Sequence, residues 1–147
     1  MKLPAERVLN RTLTDDLGVP VIRFEVLPIA TGETLRIAFA SQTGDWRQGV
    51  WLAVNGMLDI AGRIESQFTI WTDTAPREFD VHVVETTDGM LRLYNVWDSK
   101  RGIRRESQSH TSGMLKEEDG ARITYRCNDI GFHPRFDKLV FELQRAN

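Results

Sequence analysis

Apolar and polar residues exchange places at every second position in one segment after another between Val21 and Leu143. Phe79, Val81 and Val83 fall on one side of an extended chain, and Asp80 and His82 on the other. Leu91, Leu93 and Asn95 oppose Arg92 and Tyr94 in the same way. A period of two marks strands with one face in a core and the other toward water. The pattern predicts strands over 21–28, 34–40, 48–54, 66–72, 79–86, 90–97, 121–127 and 138–144, with a polar edge strand over 104–113. Asp88-Gly89 lies between two alternating runs and predicts a tight hairpin, whose turn needs positive φ. Asn55-Gly56 predicts a second turn, followed by a short helical turn over Met57–Ala61.

Strands at this spacing predict an all-β fold of about eight strands. The expected form is an antiparallel two-sheet sandwich of the jelly-roll kind, with a closed barrel as the alternative. The inward positions include Phe24, Leu35, Ile37, Phe39, Trp51, Phe68, Phe79, Val81, Val83, Leu91, Leu93, Ile123, Tyr125, Phe141 and Leu143, together with Val26, Ile70 and Leu139. Residues 1–20 lack the alternation. They read as an N-terminal extension with a helical turn or two over Ala5–Leu9, ahead of one sandwich domain at 21–147.

Charge narrows the partners. Nineteen Lys and Arg stand against twenty-one Asp and Glu, a net −2. A general binder of nucleic acid or of anionic membranes needs an excess of cations, so neither partner is expected. Lys100, Arg101, Arg104 and Arg105 form a basic cluster, and Glu117, Glu118 and Asp119 an acidic one. The two are expected to attract each other weakly as ends of one loop or hairpin. Cys127 is the single cysteine and alternates with Ile123 and Tyr125, which predicts a buried, unreactive thiol. No apolar stretch has the length of a signal-peptide core or a membrane span, and a cytoplasmic location is the resulting expectation.

Candidate chemistry lies in the loops. Asn128-Asp129-Ile130-Gly131 leads through His133, Pro134 and Arg135 to Asp137 and the last strand. Calcium takes six to eight oxygen ligands, often from Asp, Asn and carbonyls on one curved loop, so Asn128, Asp129 and Asp137 are its candidate ligands. The competing reading is that Asn128 and Asp129 only close a turn through local hydrogen bonds. The pair Asn128-Asp129 followed by Phe136-Asp137-Lys138-Leu139-Val140-Phe141 resembles the last loop and strand of calcium-dependent bacterial lectins. The resemblance spans about a dozen residues, and His133, Pro134 and Arg135 stand where such lectins carry a denser set of Asp, Asn and Gly. It implies an ion held by the Asn-Asp pair and the later acid, with sugar hydroxyls completing the shell.

Two tryptophans sit among polar neighbours. Trp46 is flanked by Asp45 and Arg47, and Trp97 by Asn95 and Asp98. An indole beside such groups suits a stacking plate for a sugar, whereas a tryptophan at a strand end also covers the open edge of a core. The second role is preferred for Trp97. His82 follows Asp80 by two and shares its face, as in cupin-like metal barrels, yet no second histidine pair accompanies it. Ser107–Ser112 around His110 lacks the glycine pattern of a nucleophile turn.

A non-catalytic binding module for a small molecule or sugar, assisted by calcium, is therefore the leading expectation. A homo-oligomer closing on an apolar sheet face is the alternative, because Val50, Leu52 and Val54 oppose Trp51 and Ala53, and Ile22, Phe24 and Val26 lie close to Arg23 and Glu25. A cupin-like metalloenzyme is the remote third.

Overall fold

The computed structural model describes residues 3–131 and 133–145. Met1, Lys2, Phe132, Ala146 and Asn147, which the expected segments 1–20 and 21–147 include, lie outside the described residues. The fold is all-β. In chain order the elements are β1 (Val8–Leu9), α1 (Arg11–Leu17), β2 (Ile22–Pro28), β3 (Thr34–Gln42), β4 (Arg47–Ile60), β5 (Arg63–Trp71), β6 (Glu78–Asp98), β7 (Gly113–Asp119), β8 (Arg122–Asn128) and β9 (Leu139–Arg145).

These strands form one sheet, not the two sheets of the expected sandwich. The order β2-β7-β8-β9-β3-β6 returns to β2 and closes a six-stranded barrel, with β4 and β5 continuing from β6 and β1 lying on β2. Closure depends on the length of β6. Its first part pairs with β3 (Val81 opposite Leu35, Phe79 opposite Ile37), and its later part with β2 (Leu93 opposite Glu25, Leu91 opposite Leu27).

The turn expected at Asp88-Gly89 is therefore absent, and β6 runs through it. Gly89 supplies a φ of 71° within the strand, while Asp88 accepts from Asn55 Nδ2 at 2.8 Å and pairs with Arg92 at 2.8 Å. The turn at Asn55-Gly56 and the helical turn at Met57–Ala61 give way similarly to one long β4. The β4–β6 register shifts between Val54 and Gly56 and again between Met57 and Leu58. Such irregularities bend a strand and sharpen its twist, which a closing sheet needs at its corners. A Cβ on Gly56 would lie 2.0 Å from the Glu85 carbonyl oxygen, so only glycine permits this approach.

Side chains fill the barrel. Leu35, Ile37, Val81, Val83, Leu91, Leu93, Tyr125, Cys127, Phe141 and Leu143 are all fully enclosed. Of the expected inward set, only Val26, Ile70 and Phe79 are half-buried. Cys127 is buried as expected, and burial together with the Asp129 carboxylate pushes its thiol pKa up. The two-faced apolar pattern of β4 is satisfied within the chain. Val50, Leu52, Val54, Trp51 and Ala53 are all buried, with Trp51 stacked on Tyr94 at 4.5 Å and packed against Phe24. A subunit contact is not needed to cover them.

The N-terminal helix forms later than expected. Asn10 caps α1 by accepting from Leu13 N at 3.1 Å, and Gly18 ends it in the left-handed conformation. The Asn10 amide also donates to His110 O and Ser112 O at 2.9 and 2.8 Å, tying this segment to the 99–112 loop. That loop is not the expected edge strand; among the described residues its ladder pairing with the sheet is one isolated bridge between Trp97 and Glu106. Among the described residues no helix is long and apolar enough to cross a membrane.

Candidate functional site

One rim of the barrel gathers most of the residues singled out above. The register sets this: Gln42 lies opposite Leu139, Cys127 opposite Leu139, and Gln48 opposite Trp97. The loop after β3 and the loop after β8 therefore meet. Thr43 N donates to Lys138 O at 3.2 Å, and Thr43 Oγ1 to Asp137 O at 3.1 Å.

Between the two loops is a cavity of about 240 Å³ lined by Thr43, Gly44, Asp45, Trp46, Gln48, Asp129 and Lys138. Its floor is a buried polar pair. Gln48 Nε2 donates to Asp129 Oδ2 at 2.8 Å, and Ile130 N donates to Asp129 Oδ1 at 2.7 Å. The Lys138 ammonium stands 3.9 Å from the same carboxylate and 5.9 Å from the Trp46 ring centre. Trp46 is half-buried and Asp45 exposed, so an indole and a carboxylate form the outer wall. Gln48 is 1% exposed, and its Oε1 has no hydrogen-bond partner among the described residues.

The three expected calcium ligands are separately engaged. Asn128 Nδ2 donates to Thr111 O at 2.5 Å, and its Oδ1 accepts from Arg135 N at 3.1 Å. Asp137 accepts from Arg135 at 2.9 Å and from Thr43 Oγ1 at 3.3 Å; these bonds, the Arg135 one first, outweigh burial and hold its carboxyl below the ordinary value. With Asp129 facing Lys138, each of the three side chains has an oxygen engaged by a protein donor. No group of three His, Cys, Asp or Glu among the described residues is placed to hold a metal ion. The Asp80–His82 pair does share a face, but each member binds across to β3, Asp80 to Arg36 at 3.1 Å and His82 to Thr34 at 2.9 Å.

The remaining candidates separate. Trp97 is 1% exposed and Asn95 is buried, donating to Asn128 O at 3.1 Å, so both belong to the wall of the barrel. Arg47 and Asp98 face each other across β4 and β6. With Thr69, Trp71, Arg104 and Arg105 they line a second, larger cleft of about 550 Å³. Successive residues of β4 thus serve different sites, Gln48 the rim cavity and Arg47 the outer cleft. Gln48 and Lys138 were missing from the expected set. Gln48 shares parity with Val50, Leu52 and Val54, which were expected on the face opposite Trp51 and are buried in the structure.

The chain matches no protein-family model, no curated protein and no solved structure at a significant level.

Proposed function

We propose that the protein is a non-catalytic binding module whose rim cavity takes a single polyhydroxylated ring, a monosaccharide or a close relative. The observation that carries this reading is the buried, unpartnered Gln48 Oε1 on the lining of a cavity walled by a partly exposed indole. A buried acceptor without a partner costs free energy, on the order of 1–3 kcal/mol; Gln48 Oε1 is shut off from solvent, so a ligand hydroxyl would recover that cost through a small shift of the lining. Lys138 supplies donors to ligand oxygens, Asp45 an acceptor, and Trp46 an apolar plate for the C–H face of a ring. A cavity of about 240 Å³ is smaller than the roughly 300–1,000 Å³ of sites for drug-sized ligands, which favours one ring over an oligomer.

Titration calorimetry with a panel of neutral monosaccharides, run with and without calcium, tests the reading. Saturable heat with at least one sugar, lost in Trp46→Ala, is expected. The absence of saturable heat across the panel in both conditions would overturn it.

A further inference from the structure

The outer cleft has chemistry of its own. Three guanidinium groups, from Arg47, Arg104 and Arg105, line it with a single carboxylate, Asp98, and a half-buried indole, Trp71. Asp73 pairs with Arg47, so the charge left over in the cleft is that of Arg104 and Arg105. Arg47 Nε is held by Asp73 at 2.8 and 2.9 Å, while its guanidinium lies 4.4 Å above the Trp71 ring. Asp98 already accepts from Lys100 N at 2.8 Å. Arg105 Nη1 donates to Thr69 Oγ1 at 2.9 Å, a neutral partner. Among the described residues neither Arg104 nor Arg105 forms an ion pair with a carboxylate. The acidic cluster expected to answer them pairs elsewhere, Glu117 with Arg126 at 2.9 Å and Glu118 with Lys116 at 2.9 Å.

The loop that presents these arginines is held in place at several points. Trp97 and Glu106 exchange backbone hydrogen bonds of 2.8 and 3.1 Å, and Glu106 pairs with Arg101. Gln108 O accepts from Arg23 at 2.7 Å, and Asn10 holds the far end of the loop. Arg104 has a φ of 73° and Lys100 a φ of 64°, a region that favours glycine. Long cationic side chains occupy positions where the backbone alone would be easier without them, as at binding sites where strain is retained for function. Adjacent guanidinium forks match the oxygens of a phosphate, and a pinned loop lowers the entropy cost of ordering them around one.

We propose that this cleft binds a soluble phosphate monoester, with Arg104 and Arg105 gripping the phosphate and Trp71 lying beside the esterified group. This is a second site, independent of the rim cavity.

The test is a titration of the whole protein with inorganic phosphate, phenyl phosphate and vesicles carrying phosphatidic acid, followed by the indole N–H resonance of Trp71. Saturable shifts with both soluble phosphates are expected, tighter for phenyl phosphate. Affinity should fall at least tenfold in Arg104→Ala/Arg105→Ala, whose side chains are exposed and whose removal leaves the core intact. Arg36→Ala/Arg63→Ala, which removes two exposed arginines elsewhere, should change it less than twofold, as should Trp46→Ala. Unsaturable shifts, a loss in the Arg104/Arg105 variant no larger than in the Arg36/Arg63 variant, or binding to the vesicles alone would each overturn the proposal.

Discussion

Gln48 and Asp129 stand 81 residues apart in the chain, and the amide of one donates to the carboxylate of the other at 2.8 Å with both side chains buried. The contact fastens the start of β4 to the loop after β8 and forms the floor of the rim cavity. Asp129 satisfies both Gln48 and the Ile130 N–H, and it faces Lys138. Its removal would leave one buried and one half-buried donor unpaired.

Asp129→Ala is therefore expected to cost on the order of 3 kcal/mol, as when one partner of a buried charged network is deleted. Asp129→Asn keeps one acceptor for Gln48 and is expected to cost about half as much. Urea denaturation of the two variants measures this. A loss below about 1 kcal/mol in the alanine variant would mean that the pair contributes little to the fold.

A second buried carboxylate gives a prediction for alkaline solution. Glu25 is fully buried and accepts from Arg7 Nε at 2.7 Å, Tyr125 Oη at 2.8 Å and Val26 N at 3.1 Å, with Lys116 at 3.2 Å. Burial first, then the Glu25 charge and its hydrogen bond, raise the Tyr125 phenol well above its ordinary 10.0. Above that pH the unfolded chain releases the phenolic proton while the folded chain keeps it. Stability must then fall as pH rises, by about 1.4 kcal/mol per unit for this group. Tyr125→Phe lacks that dependence and loses one hydrogen bond, worth about 1 kcal/mol near neutrality. The wild-type advantage should shrink above about pH 10 and reverse roughly one unit higher. A gap that stays constant in urea titrations across this range would contradict the assignment.

How far these sites were legible in the sequence depends on the range of the interaction that defines them. Alternation over Phe79–Val83 and Leu91–Leu93 reports which side of a strand is enclosed, and those residues are enclosed or half-buried as expected. It is silent on which strands pair. Barrel and sandwich write the same alternation, and they differ here in contacts such as Glu25 with Leu93, far apart in sequence. Asp88-Gly89 is a strong local turn signal. It loses because Asn55 and Arg92 engage Asp88 and hold the chain extended through a bulge. Gly56 follows the same logic, its role being close approach to Glu85 instead of a turn. At the rim, Asp45, Trp46 and Asp129 were visible as exceptional residue types in loops. Gln48 was hidden inside a strand, and its role follows only from the fold that places Asp129 beside it. The basic cluster was equally visible, but the choice between cancelling the acidic cluster and facing a cleft rests on tertiary placement.

The cleft's loop depends in turn on Glu106. This residue is 6% exposed, its carboxylate accepts from Ser99 N at 2.7 Å, and it pairs with Arg101. Burial alone would raise its pKa, but the Ser99 and Arg101 hydrogen bonds outweigh burial and hold it below the ordinary 4.5. As pH falls past 4.5 the unfolded chain takes up a proton before the folded chain does, so this contribution is present above that pH and disappears through the lower, folded value. Glu106→Gln removes the charge and is expected to cost about 2 kcal/mol near neutrality, the scale of hydrogen bonds to an ionised group. The difference from wild type should be flat above about pH 5.5 and shrink as pH falls through and below the unperturbed carboxylate range. Because Arg104 and Arg105 ride on the segment that Glu106 anchors, the same variant should also weaken phosphate binding at neutral pH. A stability difference independent of pH would show that the carboxylate charge does not hold the loop.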